Sequence, residues 1–360
     1  MVSRSCFVGL ALVLIAAFTG CKSETSSGGG TRQFLSMGTA PPGGAFPVVG
    51  GAIAEVLNAN KGSIDWKVQI KGTKGSQENI RLLQQETLEL ALSNAAISHF
   101  AARGEASWDE AYDIRAIATM APNVAMFVVR ADSGIESIAD LKDRRVITGP
   151  AGAGFQMFIE PILVEHGLQW DDIKSLNATQ SDAVDQLADG SADAAFLGGA
   201  IPAPAIVRAA RTFDVKFLPF DEATRQKLIE KYPFFQPITV PAGKYVGLEE
   251  DFEGLNVGSM HVITSASADE TLVYEITKSI WENRAEIASK HGAGKALNEK
   301  NVARDTGIEY HPGAVRFYQE IGLMEGGEAE EAASDEEGAA SEAVDEGTAE
   351  TAQEASTGDE

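Results

Sequence analysis

The amino-acid sequence predicts an α/β fold with two lobes, the second inserted into the first. Residues 31–324 alternate short apolar runs with segments of helical periodicity, the pattern of α/β proteins with mostly parallel strands. Asp132-Ser133-Gly134 interrupts this alternation, and a similar pattern then starts again. Glycine-rich loops follow four of the predicted strands, at the strand ends where open α/β sheets bind their ligands.

The first half of this pattern ends before residue 130. Strands are predicted at 33–37, 66–70, 88–92, 114–120 and 125–129, and helices at 48–58 and 77–85. The segment 48–58 is typical of a helix, because its apolar residues recur every three or four positions. We assign residues 31–124 and 246–324 to the first lobe.

The second half repeats the alternation before the chain returns to the first lobe. The predicted elements are a short helix at 137–141, a strand at 145–148, an apolar helical stripe at 155–163, a helix at 183–187, a strand at 194–197, a helix at 206–210, a strand at 215–218 and a helix at 222–231. The stripe is interpreted as core rather than as a cofactor box. Residues 125–245 form the predicted second lobe, and a strand at 257–264 and a helix at 269–290 return to the first.

The net charge of −24 is concentrated at the carboxyl end of the chain. Residues 325–360 contain 14 acidic residues and no lysine or arginine, which leaves −10 for residues 1–324. This excess of acids argues against a nucleic-acid-binding protein and against a basic membrane-binding patch. Because Val344 is the only large apolar residue of the tail, we expect 325–360 to be disordered.

The amino terminus predicts export. Arg4 precedes an apolar segment over 6–18 that is too short to span a membrane. It ends in Phe18-Thr19-Gly20-Cys21, which resembles a bacterial lipobox, although Phe18 stands where leucine is usual. We predict a lipoprotein signal peptide over 1–21, a lipid anchor on Cys21, a flexible tether over 22–30 and a location in the cell envelope or periplasm. The alternative is an ordinary secretory signal in which Cys21 has no role.

Cysteine and histidine usage indicates a binding protein rather than an enzyme. The two cysteines, Cys6 and Cys21, lie in the amino-terminal segment, so the predicted body has no disulfide, thiolate nucleophile or cysteine-based zinc site. The five histidines show neither HxxxH nor HExxH spacing. Since no triad, paired carboxylates or cofactor motif is visible, we predict no enzyme activity, no metal and no cofactor.

Four glycine-rich loops are candidates for a ligand-binding cleft. They cover 38–46, 72–76, 149–155 and 197–202. Glycine lets a backbone approach a ligand closely, and N–H groups at a helix N-terminus attract carboxylate or phosphate. None of the loops matches a known phosphate-binding motif, and a single loop of this kind is more often a tight turn. Four such loops together favour a cleft for a small molecule.

Five stretches of the sequence resemble TAXI-type solute-binding proteins, the extracytoplasmic receptors of TRAP transporters. They are MGTAPPGGAFPVVGGAIAEVLN (37–58), KGTKGSQENIRLLQQETLELALSN (71–94), VVRADSGIESIADLKDRRVITGPAGAG (128–154), YPFFQPITVPAGKY (232–245) and HPGAVRFYQEIGL (311–323). The resemblance implies two α/β lobes joined by hinge strands that close on a ligand, the type II periplasmic-binding-protein or Venus-flytrap fold. It also implies small organic acids or amino acids, such as glutamate or glutamine, as ligands, and the TRAP integral membrane subunits as partners.

Two departures from the family pattern bear on the ligand. The first loop of the family is typically TGGTGG followed by two aromatic residues, whereas residues 39–44 are TAPPGG here and Phe46 is the single aromatic residue. The Gln-Ser-Asp of the family aligns with Asn94-Ala95-Ala96, which removes a hydroxyl and a carboxylate that a ligand amine would contact. We therefore expect the ligand to be a carboxylate without an amino group. We also expect the receptor to be a monomer.

The predicted site combines residues of both lobes. Its members are Thr39, Gly43, Gly44, Phe46, Thr73, Ser76, Asn94, Gly152, Ala153, Gly154 and Phe155. Backbone N–H groups and hydroxyls would hold a carboxylate, and Phe46 would cover its apolar part. Lys74 is either a counter-ion or a solvated loop residue. The alternative function is an orphan lipoprotein receptor that serves a sensor or another transporter.

Overall fold

Strands and helices alternate along the computed structural model, which describes residues 32–232 and 234–325. The strands of these residues are β1 (Gln33–Gly38), β2 (Trp66–Lys71), β3 (Leu90–Asn94), β4 (Ile114–Thr119), β5 (Phe127–Arg130), β6 (Arg145–Ile147), β7 (Lys174–Leu176), β8 (Ala194–Phe196), β9 (Val215–Phe217), β10 (Phe235–Val240), β11 (Phe252–Val257) and β12 (Met260–Ser265). The α-helices are α1 (Phe46–Ala59), α2 (Ser76–Gln84), α3 (Ala95–Arg103), α4 (Gln156–Glu165), α5 (Gln180–Ala188), α6 (Pro204–Thr212), α7 (Glu222–Lys231), α8 (Glu270–Glu282), α9 (Arg284–Lys290) and α10 (Pro312–Glu320).

Two five-stranded mixed sheets organise these elements. The first sheet has the strand order β2-β1-β3-β12-β4 and the second has the order β7-β6-β8-β5-β9, while β10 and β11 form a separate hairpin. In each sheet four strands are parallel, and the remaining strand, β12 or β5, is antiparallel to both neighbours. The predicted two-lobe α/β fold with mostly parallel strands is therefore confirmed.

Two paired segments connect the sheets. Residues 120–126 leave β4 for β5, and residues 254–260 return from β11 to β12. They run antiparallel, because Ala125 N donates to Leu255 O at 2.9 Å and Val257 N donates to Asn123 O at 2.8 Å. These segments correspond to the hinge strands of the predicted fold. The domain limits at 124/125 and 245/246 stay predictions, and the second falls inside the β10–β11 hairpin.

Two apolar clusters pack against the sheets, and the larger one includes side chains of both sheets. On the first sheet, buried side chains of α1 and α10 such as Ile53 and Phe317 belong to one cluster. On the second sheet, the ring of Phe196 lies 5.4 Å from the rings of both Phe127 and Phe158. Burial of the α4 side chains 158, 159, 162 and 163 confirms that the apolar stripe is core.

The bounds predicted for the last strand and the last helix were wrong. The strand at 257–264 is divided into β11 and β12 at Gly258, which has φ of +104°. A Cβ there would lie 2.6 Å from Ala96 N and Asn94 Oδ1, so the close approach requires glycine. The helix at 269–290 ends first at Asn283, whose side-chain amide donates to Ser279 O at 2.8 Å.

Several short elements were not predicted from the sequence. They are α3, β7, β10, β11 before Val257, and α10. The predicted signal peptide with Cys21, the tether and the acidic tail beyond Glu325 lie outside the described residues. Among the residues that are described, no helix combines the length and apolar character that crossing a membrane requires.

Candidate functional site

A cleft lies where loops of the two sheets meet. The loops follow β1, β2 and β3 of the first sheet and β6, β7 and β8 of the second, and the crossing segments contribute Pro122, Asn123 and Met260. The cavity measures about 70 Å³. Because a single water needs roughly 10–15 Å³ of such space, the cavity suits a small molecule. Its position at the carboxyl ends of parallel strands is the usual place for a ligand in an open α/β sheet.

Six of the eleven predicted site residues line this cavity. They are Gly44, Phe46, Ser76, Asn94, Ala153 and Phe155. Thr39, Gly43, Thr73, Gly152 and Gly154 lie in the same loops but outside the lining. The structure thus brings together residues of both predicted lobes, and the contacts of each residue separate those facing the cavity from those supporting it.

Thr39 and Thr73 belong to the supporting layer. The Thr39 hydroxyl donates to Lys71 O at 3.1 Å. The Thr73 hydroxyl lies 2.9 Å from Thr39 O and 2.6 Å from Asn79 Oδ1, and the Asn79 amide donates to Thr39 O at 2.8 Å. Both hydroxyls therefore connect the first two loops to each other, and a direct contact from either to a ligand stays a prediction.

Glycines occur where the two sides of the cleft touch. Gly43 has φ of +99°, and a Cβ there would lie 2.6 Å from Ser181 Oγ and 2.7 Å from Ser181 N. At Gly154, with φ of +87°, a Cβ would lie 3.2 Å from Gln77 Cβ. Gln77 N also donates to Ala153 O at 3.3 Å. These contacts hold the loops of the first sheet against those of the second.

Asn94 connects the cleft to the returning segment. Its side-chain oxygen accepts hydrogen bonds from Ala96 N at 2.9 Å and Ile97 N at 3.2 Å, which caps α3. Its amide donates to Val257 O at 3.1 Å and Gly258 O at 2.8 Å. Since both donors are used within the protein, Asn94 shapes the cavity wall and offers no free side-chain donor to a ligand.

Ser76 has a different arrangement. Its Oγ accepts a hydrogen bond from Asn94 N at 3.0 Å, and its own proton has no acceptor among the residues described. Serine at the start of a helix is often a cap, but α2 has no side-chain cap. The hydroxyl therefore lies at the cavity with a proton that is available for a ligand oxygen.

Besides α3, whose N-terminus Asn94 caps, four helices begin at the cavity. Phe46, Ser76 and Gln180 are the first residues of α1, α2 and α5, and Phe155 immediately precedes α4. A helix N-terminus carries a partial positive charge, and some of its N–H groups here are already bonded, because Gln77 N donates to Ala153 O and Thr179 caps Asp182 N. Lys74 is the only ionisable residue in the described lining, and its ammonium has no ion-pair partner within the described part of the chain. This environment favours an anion.

Gln180 and Asn123 line the cavity but were not predicted. Gln180 is 6% exposed, and its Nε2 donates to Gly198 O at 2.7 Å. Its Oε1 is buried without a hydrogen-bond partner in the described residues. The sequence offered no glycine signal at Gln180, and the predicted helix began three residues later. Asn123 was visible only as part of a Pro122-Asn123 connection.

One buried histidine, His261, lies beside two serines, but none of the three lines the cavity. His261 on β12 lies 2.8 Å from Ser98 Oγ through Nε2, and Ser98 Oγ lies 2.8 Å from Ser93 Oγ. Burial lowers the pKa of His261 to about 3, so the imidazole is neutral. Nδ1 lies 3.5 Å from Thr306 Oγ1, a neutral group. Among the described residues no cluster of three or more potential metal ligands occurs.

Comparison with known proteins identifies a family. Three similar solved structures share few residues with this chain. The periplasmic aliphatic sulphonate binding protein SsuA of Escherichia coli is 15% identical, with coverage of 74% of this chain and 77% of that one and a TM-score of 0.43. The alkanesulfonate-binding protein SsuA of Xanthomonas axonopodis pv. citri, bound to MOPS, is 14% identical, with 81% and 90% coverage and a TM-score of 0.43. A putative L-cystine ABC transporter protein of Listeria monocytogenes is 14% identical, with 78% and 99% coverage and a TM-score of 0.45.

The descriptions of these three structures name binding and transport proteins. The match to a family model is more extensive. Residues 37–322 fit the model of the NMT1-like family, which includes every loop of the cleft. This protein therefore belongs to the NMT1-like family.

Proposed function

We propose that this protein is the extracytoplasmic receptor of a TAXI-type TRAP transporter and that it binds a small organic acid between its two lobes. The observation that carries the proposal is the convergence of four helix N-termini and Lys74 on one cavity. Peptide dipoles at these termini stabilise a carboxylate, and each contributes typically a few tenths to one kcal/mol. The resemblance of five sequence stretches to TAXI proteins supports the transporter type.

The charge of the lining supports a ligand without an amino group. An ammonium would lie among helix N-termini and beside Lys74, with no carboxylate in the described lining to neutralise it. Burying such a charge without a counter-ion is costly. A carboxylate instead meets the Ser76 proton and backbone N–H groups. The lining therefore supports the expectation of an organic acid that lacks an amine.

The remainder of the lining supports a ligand with an apolar portion. Phe46 and Phe155 lie at the cavity, and Met260 and four prolines also line it, which are Pro41, Pro42, Pro122 and Pro150. Apolar walls with a few convergent polar groups are the usual composition of a small-molecule site. In this proposal Phe46 and Phe155, from opposite sides of the cleft, cover the carbon skeleton while the carboxylate meets the helix N-termini.

Binding in a closed cleft also supports a receptor mechanism. Gln77 N and Ala153 O, which lie on opposite sides, are joined at 3.3 Å. A ligand that contacts both sides favours the closed arrangement, because it gains contacts that the open one lacks. We propose that the closed form, attached to the membrane through a lipid on Cys21, docks on the TRAP membrane subunits.

The test of ligand class is direct. Native mass spectrometry of the purified protein should reveal a co-purifying organic acid, and calorimetry with short carboxylates should give saturable binding. Diamines of the same chain length, such as 1,4-diaminobutane against succinate, should not bind. Preferential binding of the diamine would contradict the proposal, and so would turnover of a bound acid, because it would indicate an enzyme.

A second experiment tests the transporter. Uptake of the identified acid into vesicles that contain TRAP membrane subunits should require both this protein and an ion gradient. Uptake that depends on ATP, or a response only from a sensor protein, would support the alternative of an orphan lipoprotein receptor that serves another system.

A further inference from the structure

One residue of the cavity lining, Gln180, has a side-chain oxygen that is unpaired within the described part of the chain. Gln180 is more than nine-tenths buried, and its Oε1 has no hydrogen-bond partner among the residues described. Buried polar atoms in proteins nearly always have a partner, and an unpaired one costs about 1–3 kcal/mol. Gln180 is one of the residues that line the cavity.

The orientation of this amide is set by its neighbour. The Gly198 carbonyl can only accept a hydrogen bond, so the nitrogen of the Gln180 amide must be the atom that faces it, at 2.7 Å. The oxygen consequently points towards the first loop. It lies 3.5 Å from the position that a Cβ would occupy at Gly44, which is itself a lining residue. An acceptor is thus held in place at the start of α5.

We propose that Gln180 Oε1 accepts a hydrogen bond from a hydroxyl group of the ligand, and that the ligand class is the hydroxycarboxylates. This inference rests on the proposed function, since it assumes that the ligand is an organic acid in the same cavity. The N-cap of α5 is occupied, because Thr179 Oγ1 accepts a hydrogen bond from Asp182 N, and Asp182 adds an acid to the first turn. In this proposal the other helix N-termini at the cavity stabilise the carboxylate, and the Gln180 oxygen binds the hydroxyl.

The donor is a hydroxyl rather than an ammonium because of its electrostatic surroundings. Lys74 and four helix N-termini already place positive charge around the cavity. An amide oxygen supplies only a partial negative charge, which does not offset the desolvation of a full cation. A hydroxyl needs only one acceptor and carries no net charge.

Matched acids test this assignment. The probes are glycolate and acetate, lactate and propionate, malate and succinate, and citrate and tricarballylate, each pair differing by one hydroxyl, with alanine and aspartate as amino counterparts. Calorimetry on the full chain should show at least one hydroxy acid binding about tenfold more tightly than its deoxy partner, because a site built for a hydrogen bond rejects an analogue that lacks it. In Gln180→Met this preference should fall to about twofold or less, while the deoxy acid keeps its affinity.

The outcomes distinguish this inference from the function on which it rests. Equal affinity within every pair would overturn the inference and leave an organic-acid receptor. Tighter binding of an amino acid than of its hydroxy counterpart would overturn it as well. An equal loss for both members of a pair in Gln180→Met would show that the side chain acts only as a support. If no carboxylate binds at all, the proposed function fails and this inference fails with it.

Discussion

The side chain of Asn94 is hydrogen-bonded to Gly258, from its Nδ2 to the carbonyl oxygen at 2.8 Å. The same side chain caps α3, so the end of β3, the start of a helix and the segment returning from the other sheet are joined at one residue. Gly258 permits this contact because a Cβ there would lie 2.6 Å from Asn94 Oδ1. The geometry makes Asn94 a link between the cleft and the hinge.

Asn94→Ala should therefore destabilise the protein by about 2–3 kcal/mol, since it removes a helix cap and two buried donors. Asn94→Ser is the matched control, because a serine oxygen can still cap α3 but cannot reach Gly258. We expect about half of the loss for the serine variant. Urea unfolding measures both, and a loss below about 0.5 kcal/mol for Asn94→Ala would show that the link carries little stability.

Gly43→Ala should weaken ligand binding more than it affects folding. The new methyl group would lie 2.6–2.7 Å from Ser181 on the opposite side of the cleft, and φ of +99° is strained for alanine. We expect at least a tenfold loss of affinity for whichever carboxylate binds. Gly51→Ala is the control, since no atom lies within 4 Å of its Cβ position and it should slightly stabilise α1. Unchanged affinity in Gly43→Ala would mean that binding does not need this contact.

Removing the hydroxyl of Ser76 and removing that of Thr73 should have different effects on ligand affinity. Ser76→Ala should lower ligand affinity about fivefold or more, because it removes the proton that faces the cavity, and it should also cost about 1 kcal/mol of stability through the lost Asn94 contact. Thr73→Ala should cost a similar stability through its contacts with Thr39 and Asn79 but leave the affinity within about twofold. Calorimetry and thermal unfolding measure the two effects. An equal loss of affinity in Thr73→Ala would place that hydroxyl in contact with the ligand.

Lys74 should contribute to affinity through its charge. Lys74→Met is expected to weaken binding of a carboxylate and to reduce the dependence of affinity on salt, because salt screens the attraction between exposed charges. Lys71→Met is the control, as Lys71 is an exposed lysine of the same region whose side chain is not part of the lining. If both variants respond identically to salt, Lys74 is a solvated loop residue.

Acid should destabilise the protein through His261. Burial lowers its pKa to about 3 in the folded state, whereas an unfolded histidine has a pKa near 6.5. The unfolded chain therefore binds the proton first, and stability decreases as the pH falls below about 6.5 until the folded pKa is reached. The loss attributable to one histidine is up to about 1.4 kcal/mol per pH unit.

Urea unfolding at pH 7, 6 and 5 should show this slope, and His261→Gln should reduce it by close to one proton. Burial also lowers the pKa of His99, His166, His291 and His311, but their contributions are common to both proteins and cancel in the difference. Identical slopes would show that His261 is protonated at the same pH in the folded and unfolded chains.

Local sequence signals predicted the regular part of this fold. The apolar stripe of α4 and the alternation of strands and helices depend on neighbouring residues, so they could be recognised along the chain. The break at Gly258 could not, because it results from the approach of Asn94 and Ala96, more than 160 residues away. β7 and β10 were likewise missed, since β7 is polar and largely exposed and Pro237 interrupts the strand pattern of β10.

Patterns along the chain were enough to predict an α/β fold with glycine-rich loops at its strand ends and a set of candidate cleft residues from both halves. Which of those residues face the cavity was decided only by the tertiary structure. Thr73 and Ser76 look alike in the sequence, but Asn79 and Thr39 engage the hydroxyl of Thr73, while the Ser76 proton is left for a ligand. Gln180 had no local signal at all. Its significance arises because Gly198 binds its nitrogen and its buried oxygen is left without a partner among the described residues, and only folding brings Gln180 and Gly198 together.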